Sequence, residues 1–318
     1  MASIGIDLIA AAQHLKNGDC VGIPTETVYG LAANALDANA CLKIFEIKER
    51  PTFDPLIVHV KDIAEIEKYV SVFPNQAKLL FERFSPGPIT VVLPKKSIIP
   101  DIVTSGLDTV GMRIPNHTLT QQLLNSLDFP LAAPSANPFG YVSPTQAQHV
   151  NAQLGQKIKY ILDGGECKVG IESTIVGFEN NHPVIYRLGG LTIEEIEHVI
   201  GSCKVQLNNS SNPVAPGQIA SHYAPKKKLV LVDSLQDAQI DVTKKVGAIV
   251  YKSYSDKIEK KNQLILTPGN NLQEAGKNLF NFLRKIDELD VDIVYAEKVP
   301  NDGIGKAIND RLFRASTK

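Results

Sequence analysis

The sequence predicts an α/β protein with two domains, on the basis of three observations. Short apolar runs rich in β-branched residues alternate with amphipathic helical patterns along the chain. The 318 residues exceed one typical domain, and the 43% hydrophobic content suits an ordinary globular core. A stretch rich in Asn, Ser, Pro and Lys interrupts the pattern at 206–228. We therefore predict domains at 1–205 and 229–318, joined by a linker.

Each element of the larger domain has a recognisable pattern. Strands are expected at 20–24, 56–60, 89–94, 110–115, 173–178 and 184–188, and helices at 7–17, 38–49, 61–70, 75–84, 118–127, 145–154 and 192–201. The last helix starts at Thr192 and has Glu195 three residues later, the pattern of a capping box. On its strand, His59 shares a face with Ile57.

The smaller domain repeats the alternation of strand and helix. Strands are expected in "KLVLVD", "VGAIVY", "NQLILTPG" and "VDIVYAE", and helices in "NLQEAGKNLFNFLRKID" and at about 304–315. Strands that alternate with helices favour a parallel sheet, because each parallel pair needs a crossover connection.

Charge and composition exclude several classes of protein. The formal net charge of -1 gives no global field that would attract RNA or an anionic membrane. Asp7 stands near the start with no basic leader, and no apolar run reaches the length of a spanning helix. The four cysteines form no CxxC pair, so we expect reduced thiols in a cytoplasmic protein rather than disulfides or a zinc site.

Three polar segments that carry hydroxyl groups border predicted strands: "PTET" (24–27), "PSAN" (134–137) and "ESTI" (172–175). Any one of them could be a turn whose hydroxyls satisfy local backbone groups. Together they favour a site for a small polar ligand, because small residues allow close approach and hydroxyls offer hydrogen bonds. The Walker and dinucleotide-binding glycine motifs are absent, so a nucleotide would need another device.

Cationic residues lie near these segments. Lys48 and Arg50 leave a predicted helix just before Pro51, where they could either face the helix dipole or grip phosphate oxygens. Arg113 lies inside an apolar strand, where an unpaired charge is costly. It either pairs internally or binds an anionic ligand, and the sequence leaves both readings open.

The motifs add up to a family resemblance. In this order, "PTETVYGLAANA", "IFEIKERPTFDPLIVHV", "SPGPITVVL", "VGMRIP", "PLAAPSANPFG" and "GIESTIV" resemble the YrdC-like threonylcarbamoyl-AMP synthases over about residues 8–200. "PGQIASHYAP" and the following α/β region are similar to the long, two-domain form. The resemblance implies a YrdC-like twisted mixed sheet around an open cavity, followed by a smaller Rossmann-like parallel α/β domain.

The resemblance also implies a reaction. The family condenses L-threonine, bicarbonate and ATP into L-threonylcarbamoyl-AMP and pyrophosphate, the first step of threonylcarbamoyladenosine formation in tRNAs that read A-starting codons. Mg²⁺ is expected with ATP, and no tightly bound cofactor is expected. A separate threonylcarbamoyl transferase complex uses the product, so direct contact with tRNA is not required, and no membrane partner is expected.

The resemblance further implies a set of site residues and no metal ligands from the protein. Those for L-threonine are Thr27, His59, Arg113, Ala133 and Ser173; those for ATP are Arg50, Asp54, Thr109, Ser135, Arg187 and Tyr223; Lys48 and Arg50 are the catalytic cations. The chain departs from the family pattern at Glu49, where a small residue is common, and at Asp54, where Asn is expected. We expect the 206–228 linker to act as a lid over the cavity.

Two other functions fit parts of the pattern. A concave, locally basic surface could hold structured RNA without chemistry, although the near-neutral charge argues against it. Another carbamoyl-adenylate enzyme, like the YrdC-type domain of hydrogenase maturation proteins, is the second alternative. Those proteins also carry acylphosphatase and zinc-finger segments, which this sequence lacks.

Overall fold

The computed structural model describes residues 1–207, 223–241 and 243–317. Their strands form two sheets, one of eleven strands in the N-terminal region (1–207) and one of four strands in the C-terminal region (223–317). The predicted α/β fold class is thereby confirmed. Of the expected linker and lid, residues 208–222 lie outside the described part of the chain.

The elements of both regions are as follows. The strands of the N-terminal region are β1 (Ser3–Gly5), β2 (Val21–Ile23), β3 (Gly30–Asn34), β4 (Ile57–His59), β5 (Ile89–Pro94), β6 (Thr109–Arg113), β7 (Leu131–Ala132), β8 (Tyr160–Leu162), β9 (Thr174–Glu179), β10 (His182–Arg187) and β11 (Lys204–Val205). Its helices are α1 (Leu8–Lys16), α2 (Ala38–Lys48), α3 (Ile63–Tyr69), α4 (Asn75–Phe84), α5 (Asp101–Thr104), α6 (Thr118–Asn125), α7 (Ala147–Leu154) and α8 (Ile193–Ile200). The C-terminal region contains β12 (Lys228–Val232), β13 (Val246–Val250), β14 (Gln263–Ile265), β15 (Ile293–Glu297), α9 (Leu272–Lys285) and α10 (Gly305–Ser316).

The larger sheet is mixed, with the strand order β1-β8-β2-β3-β7-β4-β6-β5-β9-β10-β11. Its centre brings distant segments together, since β4 pairs parallel with β6, and β5 pairs parallel with β9. Five short strands were not predicted: β1, β3, β7, β8 and β11. Segments of two to five residues carry almost no periodicity, so partners elsewhere in the chain decide their structure.

The side chains of β6 alternate between the two faces of the sheet, which places Arg113, at the end of the strand, on the face opposite the main core. Val110 and Met112 pack into the main core, so Gly111 and Arg113 face the other side of the sheet. On the neighbouring strand β4, Val58 is also in the core, whereas His59 points to the same side as Arg113. The predicted His59 orientation is therefore correct.

Helix caps fix the ends of several helices. The side chains of Asp7, Asp37 and Asp62 accept hydrogen bonds from backbone N–H groups at the start of α1, α2 and α3. The predicted capping box of Thr192 and Glu195 is present at α8. Among the described residues, no helix is both long and apolar enough to cross a membrane.

The smaller sheet is entirely parallel, with the order β12-β15-β13-β14. Helices α9 and α10 lie between this sheet and the N-terminal region. Gly276 of α9 faces the Val169 carbonyl, and Lys306 of α10 pairs with Glu194 of α8 at 2.6 Å. The C-terminal region is thus packed against the N-terminal one near the "GIESTIV" segment.

Candidate functional site

A cleft opens on the face of the larger sheet where β4, β6 and β10 end. It is lined by Val28, Arg50, Ile57, His59, Arg113, Ala133, Pro134, Ser135, Glu172, Arg187 and Tyr223. Three guanidinium groups in one cleft, against the one lining carboxylate of Glu172, make it suited to anions.

Arg113 is the cation at the end of β6, with only 4% of its surface exposed. Its Nη2 donates to Glu26 Oε1 and to Thr27 Oγ1, both at 2.8 Å. Its Nε is buried and has no hydrogen-bond partner. A buried charged donor without an acceptor is costly, so this atom is suited to receive a ligand oxygen. The internal pairing of Arg113 is therefore observed, and its Nε remains a donor available to a ligand.

The "PTET" segment supports Arg113 from behind. Thr25 acts as the turn residue, because its Oγ1 hydrogen-bonds with Thr27 Oγ1 at 2.8 Å and donates to the Val28 carbonyl at 2.6 Å. Glu26 is fixed at its second oxygen by the backbone N–H of Asn116 at 2.9 Å. Thr27 thus lies behind the cleft, in contact with Arg113, rather than on the cleft wall.

His59 lies beside Arg113, since the two residues are paired in the register of β4 and β6. Burial, followed by the nearby Arg113 charge, lowers the pKa of His59 to about 3. The ring is therefore neutral at physiological pH. Its Nδ1 lies 3.3 Å from the Ile57 carbonyl, and the residue lines the cleft without adding positive charge.

Arg187 reaches the cleft from an irregular point of β10. The register between β9 and β10 shifts between Ile185 and Arg187, and such irregularities often re-aim a side chain beside a functional site. Arg187 Nε donates to the Ser173 carbonyl and Nη2 to Ser173 Oγ, both at 3.0 Å. Ser173 Oγ also lies 2.8 Å from Thr90 Oγ1. Ser173 thus supports Arg187 from behind the cleft wall.

Arg50 follows a sharp end of α2. Glu49 has a left-handed conformation, with φ of 55°, which favours glycine and is strained for Glu. Arg50 Nε donates to the Asp54 carbonyl at 3.0 Å, and Nη2 donates to the Pro55 carbonyl at 2.9 Å. The guanidinium is thereby fixed at the cleft.

Asp54 is the buried counterion of Arg50, with its Oδ2 at 2.8 Å from Arg50 Nη2. The contact is an ion pair without hydrogen-bond geometry at either carboxylate oxygen. Asp54 is 0% exposed, and burial raises its pKa. Asp54 lies under Arg50 and does not line the cleft, so its charge is balanced within the protein rather than presented to a ligand.

Lys48 is also buried rather than on the cleft wall. Its Nζ donates to the Ser135 carbonyl at 2.6 Å and to the Asn137 carbonyl. Burial lowers its pKa well below the usual value. Lys48 therefore holds the "PSAN" loop in place, and Ser135 of that loop lines the cleft together with the preceding Ala133.

Thr109 is a predicted site residue that lies away from the cleft. It begins β6, four residues before Arg113, a separation of about 13 Å at the usual strand rise. It lines a separate cavity with Val92, Phe178 and Tyr186. The predicted ATP contact of Thr109 stays a prediction that this geometry does not support.

Glu172 and the helices of the C-terminal region were missing from the predicted site. Tyr223, which was predicted, stacks on Phe280 of α9 with ring centroids 5.3 Å apart. Arg311 of α10 reaches Glu172 Oε2 at 3.0 Å. The sequence held a signal for Arg311, because it interrupts the apolar stripe that Ile308 begins on the last helix.

The chain matches two family models that together cover most of its length. Residues 13–189 match the Sua5, YciO and YrdC model, described as "Telomere recombination". Residues 191–317 match the model described as "Threonylcarbamoyl-AMP synthase, C-terminal domain".

Curated relatives match over nearly the full chain. The threonylcarbamoyl-AMP synthase of Pyrococcus abyssi (strain GE5 / Orsay) is 41% identical, with 96% of this chain and 93% of that protein covered. The enzyme of the same name from Bacillus subtilis (strain 168) is 37% identical, with 96% and 92% covered.

Solved structures have folds that are similar to that of this chain. The crystal structure of P. abyssi Sua5 complexed with L-threonine has a TM-score of 0.90 at 40% identity, with 97% of this chain and 94% of that chain covered. E. coli YciO has a TM-score of 0.53 at 23% identity, with 59% and 96% covered, a likeness that concerns the fold alone.

Proposed function

The chain belongs to the family of the threonylcarbamoyl-AMP synthases, which are nucleotidyltransferase-type enzymes, and from this premise we propose its reaction. The family resemblance of the motifs is thereby confirmed. The proposed reaction condenses L-threonine, bicarbonate and ATP into L-threonylcarbamoyl-AMP and pyrophosphate. The relative that was solved as a complex with L-threonine supports threonine as the amino acid.

The observation that carries the proposal is the unpaired Nε of Arg113 inside the cleft. A threonine carboxylate accepts from this donor, and the neutral ring of His59 lies alongside without adding charge. Ala133, which also lines the cleft, leaves space for a small amino acid. Thr27 and Ser173 take part indirectly, because each holds an arginine of the cleft.

ATP would lie against the remaining cations. Arg50 and Arg187 line the same cleft, and both are held by backbone carbonyls that fix their direction. Burial lowers the pKa of Arg187 to about 10, so it remains a cation at physiological pH. Guanidinium groups that are positioned in advance bind phosphate oxygens with little ordering cost, and the "PSAN" loop brings the backbone of Ser135 close.

The chemistry then depends on alignment. The threonine amine and bicarbonate form a carbamate with loss of water, and this carbamate is already an anionic nucleophile. Its oxygen attacks the α-phosphorus of ATP, a new P–O bond forms, and the bond to the bridging oxygen of pyrophosphate breaks. No strong base is needed, which agrees with a cleft of cations around a neutral histidine.

Mg²⁺ would enter with ATP as part of the substrate. In the described residues no group of three or more His, Cys, Asp or Glu side chains could hold a metal ion. Glu172, the carboxylate on the cleft wall, is engaged by Arg311. The ion supplies charge neutralisation at the phosphate oxygens, and the residues of the chain position those oxygens.

The product would supply the threonylcarbamoyl group of the modified adenosine in tRNAs that read A-starting codons. A mixed anhydride with AMP needs a separate acceptor step, which a downstream transferase complex would perform. The formal net charge of -1 supports a protein that acts on small molecules rather than one that holds tRNA.

Pyrophosphate release with ATP, bicarbonate and each amino acid in turn tests the proposal. Release that needs bicarbonate and is fastest with L-threonine is the expected result. Release that needs carbamoyl phosphate instead of threonine would identify the other carbamoyl-adenylate reaction. Tight, salt-sensitive RNA binding without any amino-acid-dependent release would identify the RNA-binding alternative.

A further inference from the structure

We propose that Arg311, in the last helix of the C-terminal region, is a positioning residue that sets the charge and orientation of the catalytic cleft. The inference rests on the proposed function and extends it to a region outside the cleft-bearing sheet. It assigns α10 a part in ATP binding that acts through Glu172.

Arg311 joins the two regions through Nε and Nη2, and the rest of its guanidinium group is engaged within the C-terminal region. It is 0% exposed, although it is among the largest side chains of the protein. Nε donates to Glu172 Oε2 at 3.0 Å, and Nη2 donates to the Leu188 carbonyl at 2.7 Å. Nη1 donates to Asp310 Oδ2 at 2.7 Å. The guanidinium carbon also lies 5.2 Å from the ring centroid of Tyr223, within cation–π range.

The other oxygen of Glu172 depends on the same region indirectly. Ser143 Oγ donates to Glu172 Oε1 at 2.6 Å. The carbonyl of Ser143 accepts from Arg284 Nε of α9 at 3.3 Å, and the carbonyl of Val142 accepts from Arg284 Nη2. Both carboxylate oxygens of Glu172 are therefore fixed by contacts that begin at an arginine of the C-terminal region.

The backbone around Glu172 is held as well. Gly170 has a φ of +77°, and a Cβ added there would lie 2.4 Å from Lys277 Cα of α9. Only glycine allows this approach of the helix to the loop. Helix α9 thus presses on the "GIESTIV" loop two residues before Glu172, while Arg311 holds its side chain.

These contacts matter because Glu172 and Arg187 line one cleft that we assign to the triphosphate. With Arg311 present, the carboxylate is balanced and does not oppose a phosphate. Without Arg311, the Glu172 carboxylate would be buried without a counterion. It would repel the triphosphate and attract the guanidinium of Arg187 in place of the phosphate. The expected loss is therefore in ATP affinity, and it should vanish when the carboxylate is neutral.

Four variants of the full chain test this: R311M, E172Q, R311M/E172Q and K306M. Arg311 and Lys306 both lie on α10 and both pair with a glutamate of the N-terminal region, but Glu194, the partner of Lys306, does not line the cleft. The measurements are the Kd for a non-hydrolysable Mg–ATP analogue by calorimetry, the kcat and KM of pyrophosphate release, and thermal unfolding.

We expect R311M to weaken binding of the analogue at least tenfold, with a rise in KM for ATP larger than the fall in kcat. R311M/E172Q should bind the analogue within threefold of E172Q, and K306M should match the wild type. A merely structural role would lower the unfolding temperature without this rescue by E172Q.

Two results would overturn the inference. One is wild-type affinity in folded R311M; the other is a tenfold loss when R311M is added to E172Q, which decides the matter even where R311M alone does not fold. Failure of the proposed function shows itself separately, as wild-type protein that releases no pyrophosphate with threonine. The analogue affinities remain a test of Arg311 in that case.

Discussion

The cleft of the N-terminal region and the crevice at the carboxyl ends of the C-terminal sheet place their charges in different ways. The crevice is the larger of the two and occupies the usual ligand position of a parallel α/β sheet. Its lysines, Lys252 and Lys298, are exposed, and its carboxylate Glu297 is satisfied by the backbone N–H groups of Leu235 and Tyr251. The cleft is small, and its arginines are buried.

The volume of a cavity is therefore a weaker guide to the ligand site than the presence of buried charged groups that lack a partner. In the crevice, solvent screens the lysines, and exposed ion pairs such as Lys298 with Asp233 contribute little. In the cleft, Arg113 keeps a buried donor without an acceptor. A protein retains such a group only where something compensates for its burial, and a ligand is the natural compensation.

The largest expected effect is at Arg113. R113K keeps a cation for the buried carboxylate of Glu26 but removes the donor at Nε. We expect kcat/KM for threonine to fall on the order of 100-fold, since loss of a buried charged hydrogen bond costs about 2–5 kcal/mol. Kinetics at varied threonine measure it, with K298M in the crevice as control. An unchanged threonine KM would remove Arg113 from the threonine site.

Arg113→Ala is a poorer probe than R113K. The structure pairs Arg113 with Glu26, which is 5% exposed. Truncation would leave that carboxylate buried and unpaired, so folding itself should suffer.

The next effect concerns ATP. R187M removes the cation that Ser173 orients and leaves the Ser173 carbonyl without that donor. We expect the KM for ATP to rise about 10- to 100-fold while the KM for threonine changes much less, which separates the two halves of the cleft. Equal changes in both KM values would contradict this division. Initial rates at crossed concentrations of the two substrates provide the measurement.

Acid should destabilise the two regions unequally. Because the folded pKa of His59 is lowered to about 3, the unfolded chain binds more protons below its ordinary pKa of 6.5, and stability falls as pH drops. The loss is about 1.4 kcal/mol per pH unit, or about 2 kcal/mol at pH 5. Residues 229–318 contain no histidine.

Hydrogen exchange at pH 7 and pH 5, corrected for the intrinsic rates, should therefore show loss of protection in β4 and β6 before β13 and β15. H59Q is the matched control, since glutamine does not titrate and should remove the share of this dependence that His59 contributes. His149, whose pKa burial lowers to about 4, keeps its own share. Equal losses of protection in both sheets would show that His59 does not set the acid limit.

The smallest expected effect is in the crevice. The double variant K252A/K298A removes its exposed cations without touching a residue of the cleft. We expect kcat and both KM values to remain within about twofold of the wild type, as is usual for exposed charges. A shift in ATP or threonine dependence beyond that range would give the crevice a part in the reaction.

Much of the cleft could be predicted because its residues follow local patterns. Arg113 stood out as a charge in an apolar strand, and the strand period placed His59 on the correct face. The family resemblance, rather than a local pattern, assigned Arg50, Ser135 and Arg187 to the site, and these three residues line the same cleft. The signals of Arg113 and His59 are local, so one sequence suffices to find them.

The remaining features of the site depend on contacts between segments that are far apart in the sequence. Lys48 and Asp54 lie in a motif that the sequence shows, but only the fold shows that they are buried supports of Ser135 and Arg50. Glu172 and Arg311 are 139 positions apart in the sequence, and no period connects them. Their pairing is set by the packing of α10, which a single sequence does not encode as a pattern.

The most direct test is a crystal structure of the chain with L-threonine and a non-hydrolysable ATP analogue. We expect the threonine carboxylate to lie within hydrogen-bond distance of Arg113 Nε and the triphosphate to contact Arg50 and Arg187. Threonine bound away from Arg113, or a nucleotide seated in the crevice beside Lys252 and Glu297, would contradict it.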